Sequence, residues 1–207
     1  KSAGNLAKKY GQRLSFHPAQ FCVLASPSEK VVESSLVELN RAGQIMDLMG
    51  LPQSPAAKIN IHVGGAYGDK ASALERFCKN YKRLLPCTAK RLTVENDDKA
   101  SMYSVLDLYE SVYKVIGIPI VFDYHHHKFC TGNMTEQQAL KLALSTWPKD
   151  IRPCTHYSES RAKEKLDESI KPQAHSDYIL EKPNDYGLDF DCVVEAKAKE
   201  KTIIKFF

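Results

Sequence analysis

No two of the six cysteines, at positions 22, 78, 87, 130, 154 and 192, form a CxxC pair. That absence argues against a zinc–thiolate site. With no secretory leader in view, it favours free thiols in a reducing compartment over disulfides. No apolar run approaches the roughly 20 residues that a membrane span needs. Nothing resembles a signal peptide, so the expected location is intracellular: a prokaryotic cytoplasm or a eukaryotic nucleus. No G-x-G-x-x-G or Walker-type turn follows any apolar run, which weighs against a nucleotide cofactor. A Ser-His-Asp or Cys-His arrangement for covalent catalysis is also lacking.

What is present reads as an ordinary globular chain. Its 207 residues are 43% hydrophobic and 26% charged, enough for one domain or one large barrel. The net charge of +4 and pI near 8.6 are compatible with nucleic acid without being evidence for it. The chain begins at Lys1 rather than Met, as a fragment or a processed chain would.

Short apolar runs alternate with longer helical patterns. Strands are expected at 13–17, 58–63, 91–96, 119–124, 151–157 and 191–196, all short and rich in β-branched residues. Ser28 is expected to cap a helix whose buried stripe is Val32, Leu36, Leu39, Ile45 and Met46, stopped by Gly50. Asp69 opens the next, with a stripe of Leu74, Phe77, Cys78, Tyr81 and Leu85. A third runs from about Ser101 to Ile116, before Gly117 and Pro119. Thr135 and Gln138 have capping-box spacing. The charged stretch 158–172 reads as an exposed excursion. This repeated βα order predicts a parallel sheet with helical crossovers, either open and doubly wound or a (β/α) barrel.

The histidines choose between them. His17, His62 and His156 end three of the runs, Glu95 and Glu195 stand at matching places, and Asp123 precedes the triplet His125–His127. His175 follows the charged excursion. Catalytic groups of parallel barrels gather at the C-terminal face, where the loops converge. A ring of imidazoles and carboxylates there, with no thiolates, predicts a multinuclear site for Mn, Zn, Fe or Mg. Within "DYHHH" the expected ligands are Asp123 and His126; His125 and His127 are expected to support them or to face solvent.

With these residues assembled, the chain resembles the UV damage endonuclease family. The resemblance rests on "SFHPAQF" (15–21), "IHVGG" (61–65), "VEND" (94–97), "FDYHHH" (122–127), "THYSES" (155–160), "AHSDYI" (174–179) and "VVEAKAKE" (193–200), in family order. It implies a TIM (β/α)8-type barrel, here one partial domain over 1–207 holding strands 3 to 8, with the first two βα units missing. His17, His62, Glu95, Asp123, His126, His156, His175 and Glu195 match the family's ligands for two or three divalent ions, most often Mn2+, with Zn2+ or Mg2+ as alternatives. Glu95, Asp123, His126 and Glu195 are the implied catalytic set. Gln20 and Phe21 match a pair that wedges into the duplex, although from the residues alone Phe21 reads as core packing. Lys128 is a further expected DNA contact, and Arg161, Lys163 and Lys165 are candidates for phosphates.

The implied partner is damaged double-stranded DNA, with no membrane and no nucleotide cofactor, and a monomer if the full barrel is present. The implied reaction is metal-assisted incision 5′ to cyclobutane dimers and 6-4 photoproducts. One position departs from the pattern: Cys154 stands where the family has a lysine that can be carboxylated to bridge metals. The rival readings are an endonuclease IV-like abasic-site nuclease, a sugar isomerase of the xylose isomerase type, and an inactive fragment that binds DNA or merely folds.

Overall fold

The structure is a computed structural model and describes residues 1–206. Five short strands form one parallel sheet in sequential order: β1 (Ile59–Ile61), β2 (Leu92–Glu95), β3 (Ile120–Asp123), β4 (Cys154–Tyr157) and β5 (Asp191–Val194). Registers such as Ile61↔Val94, Asp123↔His156 and His156↔Val193 bring the carboxyl ends of the strands level. All four strands β1–β4 are buried throughout, as strands covered on both faces must be.

The expected strand at 13–17 is not formed. A single parallel bridge, Phe16 to Ile59, remains, made by Phe16 N–H donating to Lys58 O and Asn60 N–H donating to Phe16 O, both at 2.9 Å. Pro18 has no N–H to extend the ladder, and Arg13 spends its guanidinium on Ala56, Pro55 and Arg152 carbonyls. Arg13 also reaches Asp191 of β5 at 2.9 Å, so the two margins of the sheet are tied and the sheet curls into a half-barrel.

Helices α1 (Ser2–Lys9), α2 (Glu29–Leu48), α3 (Lys70–Tyr81), α4 (Pro86–Ala89), α5 (Val105–Leu108), α6 (Lys114–Ile116), α7 (Tyr124–His127), α8 (Glu136–Ser145), α9 (Arg161–Lys165) and α10 (Glu200–Phe206) connect and flank the strands. In α2 the stripe Val32, Leu36, Leu39 and Met46 is buried, but Ile45 is exposed, and Ser28 sits at the cap without a side-chain bond. Leu74, Phe77 and Cys78 of α3 are buried as expected, whereas Tyr81 is half-buried and Leu85 lies exposed beyond the helix. The 101–116 helix starts later, at a Ser104/Asp107 capping box, and opens into a π-turn at Tyr109–Tyr113 between α5 and α6. Thr135 and Gln138 do form their capping box.

The charged excursion is not simply solvated. Glu164 of α9 accepts the N–H groups of Asp177 and Tyr178, and Lys165 pairs with Asp177 at 2.9 Å, which fixes the segment beside His175. No helix among the described residues is long and apolar enough to cross a membrane.

Candidate metal centre

The strand ends deliver the eight expected side chains to one place. Alternation puts Asn60 on the inner face of β1 with His62 just past its end, Thr93 and Glu95 on that of β2 with Asp97 two residues further, and Asp123 on that of β3. Glu95 is the hub, with its carboxylate wholly buried. His156 Nδ1 lies 3.0 Å from it, His126 Nδ1 3.3 Å, and His17 and His62 Nε2 each 3.9 Å. Glu195 joins from the end of β5, 3.0 Å from His156 Nδ1, with His175 Nδ1 3.8 Å from its carboxylate. Asp123 Oδ1 stands 3.9 Å from His126 Nδ1. The rings form an arc, with centroids 6.1 Å apart for His17–His156, 6.2 Å for His17–His62, 5.5 Å for His62–His126 and 6.0 Å for His126–His175.

Four of these imidazoles have Nδ1 beside an oxygen acceptor. His17 is held by Pro18 O at 3.1 Å, His62 by Asp97 at 3.1 Å, His126 by Asn96 O at 2.9 Å and His175 by Glu195 O at 3.2 Å. A proton held on Nδ1 leaves the Nε2 lone pair for a metal, the arrangement that ligating histidines generally need. Glu95 is aligned in turn by Asn60, whose Oδ1 accepts from Thr93 Oγ1 at 2.8 Å and whose Nδ2 donates to the carboxylate. Asn96 clasps the Asp123 backbone in both directions, at 2.9 and 3.1 Å.

Electrostatics show what this cluster lacks. Burial works against charge on Glu95, yet His156, His62 and His126 hold its carboxyl well below the usual range. Burial depresses His126 and His156, and the surrounding carboxylates reverse this and raise both to about 10. Burial raises Asp123 to about 7. A pocket negative enough to keep two buried imidazoles protonated is one that attracts cations. Glu95 Oε1, Asp123 Oδ2 and both ring nitrogens of His156 are buried without a hydrogen-bond partner, a costly state that a coordinated cation relieves. Three groups bring their ligand atoms within 4.8 Å of one another: His17/His62/Glu95, His17/His156/Glu195 and Glu95/Asp123/His156. The donor set therefore fits divalent metal ions.

The triplet resolves by geometry. In the single turn of α7, successive side chains point about 100° apart, so only His126 faces the centre. His125 is buried against His175, with ring centroids 5.7 Å apart and Nε2 3.2 Å from Gln173 O. His127 packs on Phe122 at 5.3 Å. Neither faces solvent, contrary to one of the alternatives left open. Gln20, Phe21 and Lys128 are exposed, Phe21 by 77%, so Phe21 is not a core residue. Beside the metal centre, a cavity of about 420 Å³ is lined by His17, Gln20, His62, Gly65, Asp97 and Lys99 among others. Cys154 is buried at the start of β4 with its thiol donating to Thr155 O. The sequence reading missed Asn60, Asn96 and Asp97; alternation with His62 and Glu95 was the available signal for Asn60 and Asp97.

A curled parallel α/β sheet with a histidine–carboxylate centre on its carboxyl rim is the architecture of TIM-barrel-like proteins. The crystal structures of a D-tagatose 3-epimerase-like protein (TM-score 0.67, 14% identity, covering 99% of this chain and 80% of that one) and of D-psicose 3-epimerase from Clostridium cellulolyticum H10 (TM-score 0.63, 12% identity, 94% and 68%) share that fold. Within the class, the family model described as UV-endonuclease UvdE matches residues 1–207, and the chain belongs to that family. A UV DNA damage endonuclease of Bacillus velezensis is 34% identical over 98% of this chain and 63% of its own length. The UV-damage endonuclease of Neurospora crassa is 36% identical over 98% of this chain and 32% of its own length. The crystal structure of SacUVDE superposes with TM-score 0.83 at 34% identity, covering 99% of this chain and 67% of that one. The chain thus spans 63% of the length of the first of these curated relatives and 32% of the second.

Proposed function

We propose that this chain carries the metal centre and part of the DNA-binding face of an endonuclease that incises damaged double-stranded DNA 5′ to UV photoproducts. The observation that carries the reading is the convergence of His17, His62, Asp123, His126, His156, His175 and Glu195 around the buried Glu95, beside the exposed pair Gln20–Phe21, in a chain of this family.

Those eight residues would hold two or three divalent ions, with Mn2+ the first choice. When bound, such ions supply charge stabilisation for a phosphodiester and lower the pKa of water. The chain's own part is positional. Asn60 keeps the Glu95 carboxylate turned toward the histidines, and the oxygen beside Nδ1 of His17 and of His62 leaves Nε2 of each facing Glu95 at 3.9 Å. We assign the catalytic set to Glu95, Asp123, His126 and Glu195: Glu95 lies 3.3 Å and Asp123 3.9 Å from His126 Nδ1, and Glu195 shares His156 Nδ1 with Glu95 at 3.0 Å each. Phe21 would stack beside the lesion and Gln20 would replace hydrogen bonds lost there, while Lys128 contacts phosphate. Damaged DNA is selected because unstacking an already distorted step costs less.

We read the sheet as strands 3 to 8 of an eight-stranded barrel within one domain, monomeric when the barrel is complete. The sequential parallel order, the Phe16 bridge and the barrel-like neighbours support this. An intracellular site follows from the substrate. The family match displaces the abasic-site nuclease and sugar isomerase readings.

The test is a labelled duplex carrying one defined photoproduct, with Mn2+ added and then chelated. A nick immediately 5′ to the lesion that disappears on chelation is expected. Cutting only of an abasic duplex, or of neither, would overturn the assignment for this chain. Repeating the assay with Cys154→Lys then separates an effect of that position from an effect of chain length.

A further inference from the structure

The loop leaving β1, His62 to Asp69, contains three residues with left-handed backbone within five positions: Gly64 (φ 106°), Tyr67 (φ 52°) and Gly68 (φ 80°). Glycine adopts that region freely, but a residue with a β-carbon is strained there. Tyr67 therefore occupies a place where glycine would relax the backbone, and its neighbours on both sides include glycines already.

That side chain is not buried for packing; it is 47% exposed. Its ring is nevertheless held from beneath. A β-carbon at Gly65 would lie 3.1 Å from the ring's Cζ, so the missing side chain makes room for the ring. The Arg76 guanidinium sits 5.7 Å from the ring centroid, and Arg76 Nε donates to Ala25 O at 2.8 Å. Ala25 belongs to the segment that follows Phe21, and Gly64 is in close contact with Val23 of the same segment. The two loops are thus interlocked, both line the 420 Å³ cavity at the metal centre, and each carries one exposed aromatic residue, Phe21 and Tyr67.

We propose that Tyr67 is a substrate-positioning residue: a second aromatic platform, on the loop neighbouring Gln20–Phe21, on which a nucleobase of the damaged duplex stacks. This rests on the endonuclease reading above. The strained backbone aims the ring outward, and Arg76 holds it there while adding positive charge behind it. Stacking on an exposed, preordered ring tolerates any base, because every base has a π-face.

The experiment compares wild type, Tyr67→Gly and Tyr67→Phe by two measurements. One is the binding of a fluorescent duplex carrying a single cyclobutane dimer, against the undamaged duplex, by anisotropy in EDTA. The other is the melting temperature of the free protein. Tyr67→Gly is expected to weaken binding roughly 5- to 150-fold, the range for one base–aromatic stack, while its melting temperature holds or rises because backbone strain is relieved. Tyr67→Phe keeps the ring and is expected to bind within about twofold of wild type, as stacking without the hydroxyl predicts. If Tyr67→Gly binds like wild type, or if its binding falls together with its melting temperature, the ring is structural and the proposal is wrong. If wild type itself shows no preference for the damaged duplex, the endonuclease reading fails and Tyr67 with it.

Discussion

Replacing Arg91 by methionine tests how the strand bearing Glu95 is anchored. Arg91 immediately precedes β2, and its side chain is wholly buried. Its Nε donates to Pro52 O at 2.9 Å, Nη1 to Gly43 O and Cys87 O at 3.1 and 3.0 Å, and Nη2 to Leu51 O at 2.8 Å. Asp47 supplies the counter-charge at 2.8 Å. One guanidinium thereby ties β2 to α2, α4 and the loop between α2 and β1. Methionine fills similar volume but takes the donor from four carbonyls and the charge partner from Asp47, which keeps its solvent exposure and Gln53 Nε2 at 3.1 Å.

Breaking a buried charged network of this kind costs about 4 kcal/mol. At about 2–4 °C per kcal/mol for a chain of this size, the melting temperature should fall by about 8–16 °C. Lysine should rescue little, because a point ammonium cannot reproduce the planar fork. Asp47→Asn is the contrasting case: Asp47 is 36% exposed, so its loss should cost under about 1 kcal/mol. Urea denaturation followed by circular dichroism gives both values. A loss below about 1 kcal/mol for Arg91→Met would refute the anchoring role, as would equal losses for Arg91→Met and Asp47→Asn.

Other outcomes are equally concrete. Glu95→Gln should remain folded yet lose stoichiometric Mn2+ binding by calorimetry, since it removes the carboxylate within 3.9 Å of four histidines; undiminished binding would place the ions elsewhere. Adding Mn2+ should raise the melting temperature of wild type, by about 2.7 kcal/mol of stability at a hundredfold excess over Kd, and EDTA should abolish the gain. Asp107 gives a pH signature: burial opposes its charge, but Lys70 at 2.7 Å and Ser104 draw its carboxyl below the ordinary value. A folded-state pKa below the unfolded one stabilises above the unfolded value and loses that contribution as pH falls through the folded one. The advantage of wild type over Asp107→Asn, about 1 kcal/mol at neutral pH, should therefore shrink below about pH 4; a gap constant down to pH 2.5 would contradict it.

Strand ends were the most readable part of the chain, because short apolar runs with a polar residue at the carboxyl end leave little choice of register. β1 through β5 fall within the expected runs, and six of the eight expected ligands lie on or just beyond these strands, all but His17 and His175. Three features were hidden for separable reasons. The 13–17 run has strand composition, yet pairing depends on a partner ladder and on donors, and Pro18 removes one. His125 to His127 look equivalent in the sequence but diverge because they share one helical turn. Arg91 reads as a surface residue by type; only the convergence of four carbonyls from three separate segments explains its burial.

The clasp between Arg13 and Asp191 has a consequence in time. Its partners are 178 residues apart in the chain. At a synthesis rate of about 5–20 residues per second, Arg13 emerges from a ribosome roughly 9 to 36 seconds before Asp191 exists to meet it. Throughout that interval the first margin of the sheet has no counterpart. Curling of the sheet, and with it the assembly of Glu195 onto the arc of histidines, waits until the fifth strand has followed the other four out of the ribosome.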